Sequence, residues 1–105
     1  MTVQEFMMKS GVPTDYKGFG LLEKLIEKVM EHPEEGVLNI VTELAEQKGI
    51  VWRVAYMEIR LAIKRGFPKM DQELKDLLFP GWDHDIPPIK IYATKVAYAL
   101  KNNML

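Results

Sequence analysis

Arg53, Arg60 and Lys64, with Tyr56 and Met57 among them, are the side chains of this 105-residue sequence whose types and spacing suit a chemical task. Separations of three, four and seven residues recur on one side of an α-helix, so Arg53, Met57, Arg60 and Lys64 fall on one narrow stripe. A line of cations has definite uses. A guanidinium donates paired hydrogen bonds to guanine or clamps phosphate oxygens, and a tyrosine at its side reaches a sugar-phosphate backbone. The plainer use of such a stripe is as the one solvated edge of a core helix, polar because exposed edges are polar. Trp52, Tyr56 and Met57 allow a third use, since aromatics beside arginines are typical of protein interfaces.

The overall charge of −1 gives no global attraction to a polyanion, but the charge is unevenly placed. Residues 17–49 sum to −3, with four lysines against seven glutamates, whereas residues 50–68 sum to +3. The positive charge is therefore concentrated on the segment that carries the stripe, and such local asymmetry matters to nucleic acid even when net charge does not.

Other chemistry is poorly served. His32 and His84 are the only histidines, and in the turn Asp83-His84-Asp85 consecutive residues rarely converge on one ion, so no metal site is expected. The loop GVPTDYKGFG sets three glycines near a lysine, yet its spacing fits neither the Walker pattern nor the dinucleotide fingerprint. No serine or threonine has a base at recognisable spacing, so neither an enzyme nor a cofactor or small-molecule substrate is expected. Without cysteine there is no disulfide and no thiolate metal site. No segment has the length to span a bilayer, and the first residues lack a basic region followed by an apolar run, so a cytoplasmic protein without a membrane partner is expected.

The elements that must position the stripe follow from periodicity. Nearly half the residues are hydrophobic, enough for one globular domain of this length. Val37, Val41 and Leu44 lie at helical spacing, Ala45 suits close backbone packing, and Gly49 stands where a helix end needs φ > 0. A second helix, 50–66, starts at once, giving a helix-turn-helix over about 37–66. On it Val51, Ala55, Ile59, Ala62 and Gly66 face the core, Trp52, Tyr56 and Ile63 form an aromatic flank, and Val54 with Leu61 takes the other flank. Upstream, a short helix at 3–9 turns Val3, Phe6 and Met7 inward, and Thr14 or Asp15 caps a helix at 19–31 whose Leu21, Leu22, Leu25, Ile26, Val29 and Met30 form a wide apolar stripe. Downstream, 70–78 turns Leu74, Leu77 and Leu78 inward, and Pro87-Pro88 open a last helix at 89–101. No run alternates as a strand would, so the chain reads as all-α with about six helices.

These elements carry a resemblance. Gly11-Val12-Pro13 followed by Lys17-Gly18-Phe19, the apolar run LLEKLIEKV, the ungapped step from Ala45 to Ile59-Arg60-Leu61-Ala62-Ile63, Leu78-Phe79, and the proline-opened last helix with Val96, Ala97 and Leu100 are similar to the C-terminal DNA-binding effector domain of the sporulation-initiation response regulators, the stage-zero sporulation protein A family. It covers nearly the whole chain, and the first loop is its most specific part. The resemblance implies a single effector-like domain that binds double-stranded operator DNA, often as copies self-associating in tandem, to regulate transcription. It also implies that the second helix of the helix-turn-helix reads the major groove.

Arg60 stands unchanged at a DNA-contacting position of that family. Arg53 replaces a serine, and Val54, Tyr56 and Met57 replace an arginine, a glutamate and an arginine. The family's usual operator is therefore not expected to be recognised, and with no receiver-like segment in the sequence phosphorylation control is not expected. Arg53, Tyr56, Met57, Arg60 and Lys64 are the expected DNA-contacting residues. The alternative is a degenerate domain serving as a protein-interaction module through Trp52, Tyr56 and Met57.

Overall fold

The computed structural model describes residues 1–82 and 85–105. These form six α-helices: α1 (Val3–Lys9), α2 (Lys17–Glu31), α3 (Val37–Lys48), α4 (Trp52–Gly66), α5 (Gln72–Leu78) and α6 (Ile89–Lys101), with a 3-10 turn at Phe67–Lys69 and no strand among the described residues. Thr2 starts the chain with a capping box: its hydroxyl accepts from the Glu5 N–H, and its own N–H donates to Glu5 Oε1, both at 3.1 Å. Those bonds hold the Glu5 carboxyl below the usual carboxylate range. Among the described residues no helix is long and apolar enough to cross a membrane.

The central element is α2. Leu22, Leu25 and Ile26 are fully buried, and the helix packs against α4, α6 and α3. Beside it lies an aromatic group. The rings of Phe79 and Tyr92 stack with centroids 5.4 Å apart, Phe67 meets Phe79 edge-on at the same distance, and Phe6 meets Tyr92 at 6.2 Å. Such pairs add about 0.5–1.5 kcal/mol each beyond simple burial.

What places α4 is an approach of backbones. Gly18, near the start of α2, lies so close to α4 that a Cβ there would overlap the Glu58 carbonyl and sit 2.8 Å from the Ala62 Cβ. The loop after α1 makes a second such approach. Gly11 takes φ +83 and leaves no room for a Cβ against the Gly66 carbonyl, while a Cβ on Gly66 would meet the Val12 nitrogen at 2.8 Å. Ser10, fully buried, fixes this loop by donating to the Met7 carbonyl at 2.6 Å and accepting from the Val12 N–H at 3.2 Å. The Asp71 N–H donates to the Lys9 carbonyl at 3.0 Å, tying the same loop to the start of α5.

Several expectations are corrected. Neither Thr14 nor Asp15 caps α2, because the Tyr16 N–H closes a turn onto the Pro13 carbonyl at 3.1 Å and leaves both side chains exposed; the helix then starts at Lys17, with Tyr16 preceding it. Residues 67–69 form the 3-10 turn, and α5 waits for Asp71, which accepts from the Leu74 N–H at 3.3 Å. Leu74 and Leu78 occupy the inward edge of this short helix, so Leu77 is left 61% exposed near the chain termini. Val51 is extended rather than helical and is 62% exposed, whereas Ile63 joins the core instead of a flank.

Two glycines of one helix make opposite tests of this packing. Gly18→Ala should destabilise the domain by about 1–3 kcal/mol in urea unfolding, because backbone atoms oppose the new methyl. Gly20→Ala, whose Cβ would meet nothing within 4 Å, should stabilise it by roughly 0.5–1 kcal/mol.

Candidate nucleic-acid interface

The turn between α3 and α4 is short because Gly49 reverses the chain at φ 73. Its N–H donates to the Glu46 carbonyl at 3.1 Å and the Ile50 N–H to the Ala45 carbonyl at 3.0 Å, a paired closure that glycine adopts without strain. A Cβ at Gly49 would meet nothing, so backbone conformation and not space requires the glycine. Ile40, Val41, Leu44 and Ala45 bury the inner side of α3. No side chain caps the start of α4; the Val54 N–H closes onto the Val51 carbonyl at 3.0 Å, which leaves the Trp52 and Arg53 N–H groups without a side-chain acceptor.

On α4 the inner side consists of Ala55, Ile59, Ala62, Ile63 and Gly66, all buried. Arg53, Met57, Arg60 and Lys64 are exposed on the opposite side, Met57 at 60%. Tyr56 is half-buried against the core and meets Trp52 edge-on, with centroids 6.4 Å apart. Trp52 is 41% exposed, and the Arg53 guanidinium lies 5.7 Å over its ring. The core thus steadies Tyr56, Tyr56 supports Trp52, and Trp52 restrains the arginine by a cation–π contact of about 0.5–1 kcal/mol.

Two shallow depressions flank this edge. One, of about 550 Å³, is lined by Leu38 of α3 with Trp52, Arg53, Tyr56, Met57 and Arg60. The other, of about 490 Å³, gathers Arg60 and Lys64 with Lys75 of α5 over an apolar floor that includes Leu61 and Phe67, and Asp85 lies at its side. Lys75 is held with its Nζ 4.6 Å from the Phe67 ring centroid. Leu38 and Lys75 were not among the residues expected at this edge. Leu38, 53% exposed, was detectable as an apolar residue off the inner stripe of its helix; nothing in the linear sequence brings Lys75 to α4.

Apart from Asp85, the acids of α4 and of the α2–α3 junction lie away from this edge. Glu58, the one acid of α4, is only 19% exposed at its side chain and forms an ion pair with Lys48 Nζ at 3.9 Å. That distance is too long for a hydrogen bond, and the buried Glu58 Oε2 has none. The pair links α3 to α4 at about 0.2–1 kcal/mol and takes the carboxylate away from the cationic edge. Glu31, Glu34, Glu35 and Glu43 gather where α2 ends and α3 begins. A hydrogen bond that the protonated Glu35 donates to the Glu43 carboxylate raises the Glu35 carboxyl above its usual range, and His32 lies 3.6 Å from Glu34. Arg65 lies over the Tyr16 ring at 5.7 Å and so belongs to the α2 side of the molecule.

Asp83 and His84, of the turn where no metal site is expected, lie outside the described residues. Among the described residues no group of three histidine, aspartate or glutamate side chains converges as a metal site would require.

If the edge is held up by α4 and contributes little to folding, its residues should be separable from stability. Met57→Ala, Arg60→Ala and Lys64→Ala should each change unfolding free energy by within about ±0.5 kcal/mol. Tyr56→Ala should cost more than about 1 kcal/mol, because part of its ring is buried. Urea titrations of the four variants check this. Comparison with known proteins gives no attribution: no family, no curated protein and no solved structure matches this chain.

Proposed function

We propose that this domain binds double-stranded DNA as a transcriptional regulator, with α3 and α4 acting as a helix-turn-helix and α4 as its reading helix. The observation that carries this reading is the exposed line of Arg53, Met57, Arg60 and Lys64 on the side of α4 facing away from the core. The glycine-closed turn, the uncapped start of α4, and the burial of its one acid agree with it. The resemblance of the Gly11–Phe19 loop and of Ile59–Ile63 to sporulation-regulator effector domains supports the same reading. On that basis the domain works in the cytoplasm and binds DNA in adjacent copies.

Phosphate contacts make affinity fall with salt, with a log–log slope of about −0.9 per neutralised phosphate. With two or three cations engaged, binding to a pool of random duplexes should therefore show a slope of about −2 to −3 across a salt series. Arg53→Ala combined with Arg60→Ala should weaken binding at every salt concentration, and Lys64→Ala should lower the slope by about 0.9. Absence of binding at low ionic strength, or an affinity untouched by the double substitution, rules the reading out.

A second reading has its own observation. Leu38, Trp52, Tyr56 and Met57 form a continuous apolar floor between two arginines, and Trp52 remains accessible. Such a patch also suits a protein partner, as aromatic and arginine side chains dominate interface energetics. Loss of a partner in pull-down by Trp52→Ala and Met57→Ala, in a protein that ignores duplex DNA, favours this reading over the first.

A further inference from the structure

The inference rests on the DNA reading of α4 and concerns which bases that helix prefers. Arg53 and Arg60 are seven residues apart, about 10 Å along the helix axis. With successive base pairs 3.4 Å apart, that separation spans about three steps. Each arginine presents the fork that matches guanine O6 and N7. Between them the edge holds no polar reader at all. Met57 lies there, 60% exposed, with Leu38 and Trp52 continuing the apolar surface on one side.

What α4 lacks narrows the choice further. Adenine is read by asparagine or glutamine and cytosine by a carboxylate. The helix has neither amide, and Glu58, its one carboxylate, is paired with Lys48 and largely covered. The remaining major-groove feature that an unbranched apolar side chain can recognise is the C5-methyl group of thymine.

We propose that Met57 packs on a thymine methyl and that the preferred duplex places this thymine between two guanine contacts within about three base-pair steps. The core supports this arrangement through Tyr56 and Trp52, which hold Arg53 to one side of the methionine.

Duplexes selected from a random pool by the wild-type domain provide the test. Each thymine of the selected site is replaced in turn by deoxyuridine, which removes the methyl and leaves base pairing intact. One position should weaken wild-type binding about four-fold, the value of one buried methyl. Met57→Ala should bind the thymine and deoxyuridine duplexes equally, with a urea midpoint matching wild type as the check that it is folded. Tight wild-type binding that is indifferent to every deoxyuridine, or an enriched site without thymine, overturns the proposal while leaving DNA binding in place. Absence of any salt-dependent duplex binding overturns both.

Discussion

The architecture depends on one place where two helices meet without side chains between them. At Gly18 the backbone of α2 lies directly on α4 beside Glu58 and Ala62, and at Gly66 the end of α4 receives the loop that holds Gly11 and Val12. Contacts of this kind are specified by hard atoms rather than by adaptable rotamers, and close-packed interiors pass such constraints on with little give. The small inner residues of α4, Ala55, Ala62 and Gly66, allow the approach. Its consequence is rotational: with that side against α2, the Arg53–Lys64 line has no option but to face outward.

Much of this was legible in the sequence, and the failures share a cause. The spans of α1, α3 and α6 follow from apolar period and terminal glycine or proline, and the structure bears out the all-α class with six helices. The wrong starts came from local bonds that periodicity does not report. The turn from Pro13 to Tyr16 bypassed Thr14 and Asp15, and Asp71, tied to Lys9 by its N–H and capping Leu74 with its carboxylate, delayed α5. Val51 left the helical wheel because it precedes the helix rather than beginning it. At the exposed edge of α4, Arg53, Met57, Arg60 and Lys64 were readable because a single helix carries them, whereas Leu38 and Lys75 arrive from other elements through tertiary packing.

Electrostatics shows why a net charge near zero is a poor guide here. The acids cluster where α2 passes into α3, and the one acid on α4 is paired with Lys48 on its covered side. The field near the exposed edge of α4 is then set by Arg53, Arg60, Lys64 and the neighbouring Lys75, four cations against the single carboxylate of Asp85. With a Debye length of about 8 Å at physiological salt, charges at the far end of the domain are largely screened from it.

Backbone contact at Gly18 has one more consequence, and it concerns how freely the outward side chains of α4 can be exchanged. Where the pose of a helix depends on its outward side chains, every change of those side chains risks tilting it. Here the pose is decided on the opposite side, by glycine and alanine, so outward positions such as Met57, Arg60 and Lys64 can be exchanged without tilting the helix. The exposed edge of α4 is in that sense a keyboard on a fixed frame.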